Sequence, residues 1–482
     1  MNKTEKYELI KPEQNDLYNV EDFNNNADAI DAALMSHDSI LTNIMGYIGY
    51  TPTDIYGVEV DYENNKITRL AGAVGLNAGS DFDTIAPWHR RRCNMTHDGV
   101  VTAYYGDESY TETGKLTQEV TDVQTLTTYP VGTPVNVMVE QPPFYYKFVP
   151  IELQPLGNGK YAITKARYYI SPTYKDGFEL HPVFAGAELP VYFAAYESCL
   201  YNTSTGLYED VMNEGDSVEL TENRIASVSG AGVIMSNRTF TNSNGATDDA
   251  GDGLGHLKTL IKYDKYSIQT EEALAATQLL FIIEYASFDS KNLIGYGQTL
   301  REGTGATAAL GNGTGSTESG DVTYRGEENL WGHKWFATET LAASNMNNGE
   351  PSAYVKKYLF TPLASNRSQE AETRGLSHGS TTSDDNASIT AKGIGFYDVA
   401  SECSEIEGSV VGDILKRTQE LMIGFSHMLH GGVRTSDETA ANGLFTLYST
   451  NNSTAFTARL FYSSRNESTA ESTNRDEEMA EM

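Results

Sequence analysis

Two tryptophans set close together constrain the fold of this chain more than any other short stretch. Trp331 and Trp335 lie in the sequence YRGEENLWGHKWF at Tyr324–Phe336, with Gly332 between them, and they are two of the chain's three tryptophans. The later stretch Met428–Leu460 alternates short apolar runs with segments of Ser, Thr, Asn and Asp. A rigid aromatic framework beside polar loops is typical of a recognition surface.

Short alternating segments separated by turn residues run through most of the chain. Tyr56–Leu70 alternates around a turn at Asn64-Asn65, and Val135–Val149 leads through two prolines into a tyrosine-rich segment. Together with 30 tyrosines and 43 glycines, these segments predict short strands joined by loops. One internal helix is expected at Ser267–Tyr285, because its apolar run is wide enough to be buried on most sides. A length of 482 residues predicts two or three domains.

A heptad-like pattern occupies the N-terminal region. Apolar residues there alternate spacings of three and four, and Leu34 and Leu41 fall at position a when Ile30 and Ile44 are placed at d. Leu at a with Ile at d favours three or four strands over two. The alternative is an amphipathic helix that docks on its own domain. We expect a trimeric coiled coil whose oligomerisation residues are Phe23, Ile30, Leu34, Leu41 and Ile44.

The chain is strongly acidic, with a formal net charge of −32. Binding to nucleic acid or to an anionic membrane is not expected, because phosphate contacts need clustered Lys and Arg. The one basic cluster, HRRR at residues 89–92, is expected to form ion pairs within the chain or between subunits. No apolar run approaches the ~18 residues of a membrane span, and the first ten residues lack a signal-peptide core. We therefore expect synthesis in the cytoplasm without membrane insertion.

Cysteines and acidic clusters give little indication of a cofactor. The cysteines are odd in number and far apart, without metal-ligand spacing, so we expect buried thiols at Cys93, Cys199 and Cys403. We predict no cofactor. One polar loop can supply calcium ligands, although its pattern departs from a calcium loop at the third ligand position; its candidates are Asp248, Asp249 and Asp252.

The N-terminal segment resembles the attachment segment of tail-fibre and baseplate-tip proteins from phages of Gram-positive hosts. The resemblance rests on Lys11-Pro12, on Tyr18-Asn19-Val20 with Phe23-Asn24, and on the stretch Ala27–Leu34. It implies that the N-terminus joins the protein to other baseplate or tail proteins and places it in the virion tail.

A second resemblance rests on an ordered set of blocks: TRLAGAVG, RRRCNMTHDGVVTAYYGD, VMVEQPPFYYKFVP, QLLFIIEYAS, YRGEENLWG and the ending at 429–460. Together they resemble the C-terminal region of Gram-positive phage tail proteins with a C-type-lectin-like fold. That fold is shared by formylglycine-generating enzymes and by receptor-binding proteins that phage retroelements diversify. The resemblance implies a compact α+β domain. With the coiled coil expected from the heptad-like pattern, the expected fold class is α+β, in which an N-terminal helix in a trimeric coiled coil and a β-rich region lead into a C-type-lectin-like domain.

The expected domains follow from these two resemblances. Residues 1–50 form the virion-attachment segment and helix, and 51–134 a β-rich connecting domain. Residues 135–462 form the receptor-binding domain, and 463–482 an acidic, disordered tail.

The resemblance also assigns roles to individual residues. It implies a packed framework made of Arg325, Glu328, Asn329, Trp331, Trp335, Gly431, Gly432 and Arg459. Two departures from the family pattern suggest a reshaped binding face. Val433-Arg434-Thr435 stands where a tryptophan follows the glycine pair, and Thr457-Ala458 replaces the last glycine pair.

The polar residues between these framework positions are the expected receptor contacts: Arg434, Thr435, Ser436, Asp437, Thr439, Tyr448, Thr450, Asn451, Thr454 and Phe456. We predict a homotrimeric adhesin without enzymatic activity, which binds a host-surface glycan, a teichoic acid or a protein. Two alternatives remain. A glycan depolymerase would need two carboxylates across a groove, and a purely structural baseplate or fibre component would touch no receptor.

Overall fold

The computed structural model describes most of the middle of the chain and parts of both ends. The described residues are 2–4, 7, 9–11, 19–21, 23–34, 49–50, 54–61, 64, 66–157, 160–209, 217–219, 221–234, 239–241, 247–248, 265–298, 303–347, 350–358, 368–370, 416–417, 424–432, 442–450 and 456–465.

Most of the regular secondary structure in these residues consists of β-strands. The strands of the first half are β1 (Asn2–Lys3), β2 (Ile10–Lys11), β3 (Tyr56–Asp61), β4 (Lys66–Ala71), β5 (Arg91–Thr96), β6 (Val101–Tyr104), β7 (Val120–Thr121), β8 (Thr128–Tyr129), β9 (Val135–Gln141), β10 (Tyr145–Gly157), β11 (Lys160–Ser171), β12 (Glu179–Leu180), β13 (Ala187–Ala194), β14 (Ser198–Asn202), β15 (Leu207–Glu209) and β16 (Ser217–Glu219). Those that follow are β17 (Asn223–Ser227), β18 (Thr239–Thr241), β19 (Thr247–Asp248), β20 (Tyr266–Ile268), β21 (Gly315–Ser316), β22 (Val322–Tyr324), β23 (Glu327–Glu328), β24 (Trp335–Asn347), β25 (Glu350–Tyr358), β26 (Ser368–Glu370), β27 (Lys416–Arg417), β28 (Gly424–Gly432), β29 (Asn442–Thr450), β30 (Phe456–Thr457) and β31 (Leu460–Arg465).

The α-helices are short. Helix α1 covers residues 20–34, with residue 22 outside the described part. Helix α2 is Glu271–Tyr285 and helix α3 is Ser290–Leu293. Short 3₁₀ turns lie at Pro182–Phe184 and Ala308–Leu310. No described helix combines the length and the apolar character that a membrane span requires.

Three larger sheets organise the described strands. One has five strands in the order β12-β10-β11-β3-β4, and a second has six in the order β20-β31-β13-β9-β5-β6. A third has seven strands, with the path β26-β25-β24-β28-β29-β27 and with β30 paired to β24. In the six-stranded sheet β9 is central and every one of its residues is buried, as expected of a strand covered on both faces.

Helix α2 shares one hydrophobic core with the five-stranded and six-stranded sheets. The cluster includes Val58 of β3, Val139 of β9, Phe193 of β13 and Leu280 of the helix. The predicted internal helix is therefore confirmed, but it begins at 271 because the Thr270 side chain caps it and the preceding residues pair as β20. Because its apolar residues are buried on most sides, the helix fixes the distance between the sheets.

The fold class expected from the sequence is wrong. The described residues are mostly β-strands in several small sheets with three short α-helices, and a long helix in a trimeric coiled coil is not among them. Phe23, Ile30 and Leu34 lie on α1 and are 58%, 45% and 55% exposed; Leu41 and Ile44 lie outside the described residues. The physical reason is that any short amphipathic helix repeats every three or four residues, so a few turns do not specify a helical partner.

The sheets cross the expected domain limits. Strand β5 pairs with β9 from Arg91 opposite Glu140 to Thr96 opposite Val135, and β3 pairs with β11. Residues on both sides of the expected boundary at 134/135 therefore share sheets. Strand β31 extends to Arg465 and pairs with β13, so residues 463–465 belong to a strand. Residues 466–482 lie outside the described part.

The turn between β5 and β6 contains a histidine whose protonation destabilises the folded chain. His97 is half-buried, and Nη1 of Arg224 lies 3.5 Å from its Nδ1. Burial first, and the Arg224 charge second, lower the pKa of His97 from 6.5 to about 4. The unfolded chain therefore takes up this proton at a higher pH than the folded chain does.

We expect the free energy of unfolding to fall as the pH drops from about 6.5 to 4, by up to about 3 kcal/mol from His97 alone. His97→Gln should make the stability less dependent on pH in this window, because the substituted side chain takes up no proton. Urea unfolding of both proteins at half-unit pH steps measures the slope. A wild-type slope in the variant would contradict the assignment.

Candidate functional site

The tryptophan segment packs against the loop that follows helix α3. Trp331 is fully buried, and its Nε1 donates a hydrogen bond of 2.8 Å to the carbonyl of Gly295. A buried indole needs such an acceptor for its N–H group. The ring therefore fixes the position of the 288–298 segment relative to the tryptophan segment.

Two glycines allow backbone segments to approach more closely than a side chain would permit. Gly332 has φ +91°, and a Cβ there would lie 2.6 Å from the carbonyl oxygen of Tyr296. Gly431 has φ +85°, and a Cβ there would lie 2.4 Å from the carbonyl oxygen of Leu330. The N–H of Gly332 donates to the carbonyl of Gly432 at 3.1 Å. Glycine is required here both for the conformation and for the space.

Strands β28 and β29 form the hairpin that presents the expected contact loop. Gly431 pairs with Gly443, and Gly432 pairs with Asn442. Residues 433–441 connect these ends and lie outside the described part. Paired hairpin ends hold the two ends of the intervening loop close together.

Two other segments hold the start of β29 in place. The N–H of Leu444 donates to Oγ of Ser290 at 2.9 Å, and its carbonyl accepts from Nε2 of Gln278 at 3.0 Å. The ring of Phe445 packs edge-on against Phe288, with 5.0 Å between the ring centroids. Helices α2 and α3 thus hold the strand that leaves the loop.

A buried ion pair joins helix α2 to the turn before the tryptophan segment. Arg325 donates from Nε and Nη2 to the two carboxylate oxygens of Glu284, each at 2.7 Å. Its Nη1 donates to the carbonyl of Trp88 at 2.8 Å, and Tyr324 Oη donates to Glu284 at 2.9 Å. Burial lowers the pKa of Arg325, but the hydrogen bonds and charge of Glu284 outweigh burial and raise that pKa above its ordinary value.

A second buried network surrounds Glu328. Its carboxylate accepts from the N–H groups of Gly305 and Thr307, each at 2.8 Å, and from the Thr307 hydroxyl at 2.6 Å. Burial raises the pKa of Glu328, while these donors and Arg92 act in the opposite direction. Arg459 donates to the carbonyl of Glu328 at 2.8 Å and so joins β31 to this network.

The expected framework residues are buried or partly buried. Arg325, Glu328, Asn329, Trp331, Gly431, Gly432 and Arg459 are buried, and Trp335 is partly buried. Asn329 donates to Asp321 at 2.9 Å and accepts from the N–H of Val322. Packing and hydrogen bonds therefore explain why these residue types occur at these positions.

The expected contact residues are described only in part. Arg434, Thr435, Ser436, Asp437, Thr439, Asn451 and Thr454 lie outside the described residues. Tyr448 and Thr450 belong to β29. Phe456 is fully buried in the core beside Leu429 and Leu460, so its ring does not face solvent, and we exclude it from the contact set.

Sequence reasoning missed the exposed segment beside this hairpin. Asn292, Leu293 and Tyr296 follow helix α2 and are exposed. The available signal was a tyrosine between two glycines, Gly295-Tyr296-Gly297. Only the fold shows that this segment adjoins strands about 150 residues later.

Other predictions from the sequence have mixed outcomes. The ion-pair prediction for residues 89–92 is confirmed within the chain, since Arg90 pairs with Glu327 at 2.5 Å and Arg91 with Glu140 at 2.7 Å. Cys93 and Cys199 are buried and free, as predicted, while Cys403 lies outside the described part.

The calcium candidates are only partly placed. Asp248 ends β19, whereas Asp249 and Asp252 are not among the described residues. Within the residues that the structure covers, no group of three or more His, Cys, Asp or Glu side chains is arranged to hold a metal ion.

Comparison with known protein families finds none that matches this chain. A comparison with curated proteins also finds no match.

We predict that the fold depends on the buried Arg325–Glu284 pair for part of its stability. Arg325→Ala leaves a buried carboxylate without its partner and should lower the free energy of unfolding by ~3–5 kcal/mol. Arg325→Lys keeps the charge but loses the two-pronged geometry, so it should also destabilise, by ~1–3 kcal/mol.

Lys175→Ala is the matched control, because its ion pair with Asp54 is partly exposed and should contribute only ~0–1 kcal/mol. Urea unfolding at pH 7 measures all four proteins. Equal losses of unfolding free energy in Arg325→Ala and Lys175→Ala would show that the buried pair stabilises the fold no more than a surface pair does.

Proposed function

We propose that this protein is an adhesin of a phage tail that binds a receptor on the surface of a Gram-positive host. The contact surface is the 433–441 loop together with the polar residues that flank it in β29. The observation that carries the proposal is that a buried framework holds the paired hairpin ends, Gly432 and Asn442, which precede and follow residues 433–441.

The composition of the loop supports recognition. It reads VRTSDETAA and contains hydroxyl, carboxylate and guanidinium groups. Ser and Thr provide adaptable hydrogen bonds, and a nearby aromatic such as Tyr448 provides a large contact area at a low cost in conformational entropy. Substitutions in such a loop leave the core unchanged, so recognition can vary while the fold persists.

The location of the protein in a virion tail is supported by the N-terminal resemblance described above. In this proposal the protein is made in the host cytoplasm and acts at the surface of the next cell. The coiled-coil helix from which a homotrimer was expected is not among the described residues, so the proposal does not include a homotrimer. Several copies on one particle would still raise the overall affinity through effective concentration.

The test is replacement of residues 433–441 by a nine-residue Gly/Ser linker. We expect binding of the labelled protein to a panel of Gram-positive strains to be lost on every strain that the wild type binds, with an unchanged melting temperature. The reason is that the linker removes the contacting side chains while the hairpin ends remain paired.

Deletion of residues 466–482 is the control, because it begins after β31 and should preserve binding. Unchanged binding by the linker variant would overturn the proposed contact surface. Shortening of wall polysaccharide chains during incubation with the wild type would instead indicate a depolymerase.

A further inference from the structure

An exposed apolar and aromatic patch lies on the segment that follows helix α2. Leu293 is 45% exposed and Tyr296 is 38% exposed, and Asn292 beside them is also exposed. Exposed large side chains are common on protein surfaces when they occur singly. Leu293 and Tyr296 are exposed together on one short segment, and this makes their surface a candidate contact.

The segment that carries this patch is joined to both strands of the β28–β29 hairpin. On one side, the carbonyl of Tyr296 lies against Gly332, whose N–H donates to Gly432 immediately before the loop. On the other side, Ser290 holds the N–H of Leu444, two residues after Asn442. The 288–298 segment therefore lies close to the last described residue before 433–441 and to the start of β29 after it.

Hydrogen bonds hold the patch in one arrangement. Tyr296 Oη donates to Oδ1 of Asn292 at 2.6 Å, and Nδ2 of Asn292 donates to Oδ2 of Asp289 at 2.6 Å. Oδ1 of Asp289 accepts from the backbone N–H of Asn292 at 3.2 Å. A side chain that is already fixed loses less conformational entropy when it binds a ligand.

We propose that Tyr296, with Leu293 and Asn292, extends the contact surface and binds a neutral saccharide of the host wall. This inference rests on the proposed function. The tyrosine ring and Leu293 offer an apolar surface for the C–H face of a sugar ring, while Asn292 and Asp289 offer polar groups for its hydroxyls.

The charge of the molecule favours a neutral saccharide over the phosphates of a teichoic acid. The chain has a net charge of −32, and the Asp289 carboxylate belongs to the patch itself. Lys291, on the same helix, is buried and only 6% exposed. Recognition of phosphate uses exposed Arg and Lys clusters, and a negative surface repels it.

The experiment measures binding to neutral wall polysaccharide from a strain that the wild type binds. Hydrofluoric acid treatment first removes teichoic acids from that polysaccharide. Tyr296→Ala should weaken binding at least about 10-fold, and Leu293→Ser should weaken it less, because each removes part of the apolar surface. Tyr174→Ala is the matched control, since Tyr174 is 62% exposed and lies outside the patch.

The outcomes separate this inference from the proposed function. If the 433–441 linker variant loses cell binding while Tyr296→Ala and Leu293→Ser bind polysaccharide like the wild type, the inference fails and the proposed function stands. If none of these variants alters cell binding, both fail. If the wild type binds cells but not the treated polysaccharide, or if protease treatment of the cells abolishes binding, the saccharide is the wrong ligand.

Discussion

The salt bridge between Arg325 and Glu284 is the interaction on which the arrangement of the site depends. Glu284 stands at the last turn of helix α2, and Arg325 stands in the turn that leads to Trp331. The same carboxylate accepts from the N–H of Gly79 at 2.9 Å, so one buried group joins three segments that are distant in sequence. A two-pronged ionic contact fixes orientation as well as distance. It therefore positions the tryptophan segment relative to the helix.

The other buried arginines extend this constraint through the core. Arg90 bonds Glu327 and Gln141, while Arg459 bonds backbone carbonyls of Ala194 and Glu328. Each contact gives a buried charge or carbonyl a partner. Removing one partner of a buried ion pair costs ~3–5 kcal/mol. In the Arg90–Glu327 and Arg325–Glu284 pairs the two charges cancel, so the acidic excess of the chain lies outside these pairs. That excess is what disfavours a polyanionic ligand.

Local sequence patterns predicted the elements that are determined locally. The apolar run of α2 and the ion-pairing of residues 89–92 follow from composition and charge, and the structure has both. The N-terminal pattern failed as a coiled coil because periodicity indicates an apolar face but not what covers it. Phe456 failed as a contact for a related reason. A phenylalanine within polar residues suggests exposure, yet its strand pairs with β24 and the ring points into a core.

The candidate site itself is non-local, and this limits how much of it a sequence pattern can predict. Its parts come from three stretches: the 288–298 segment, the tryptophan segment, and the β28–β29 hairpin. They meet only because Gly332 and Gly431 let backbones touch where any side chain would collide. The glycine pair was visible in the sequence, but the identity of the facing backbone was not. Tyr296 therefore lies on a segment that Trp331 and Gly332 hold in place. Under the proposed function, such a surface keeps one constant contact for a wall sugar while residues 433–441 change to suit different hosts.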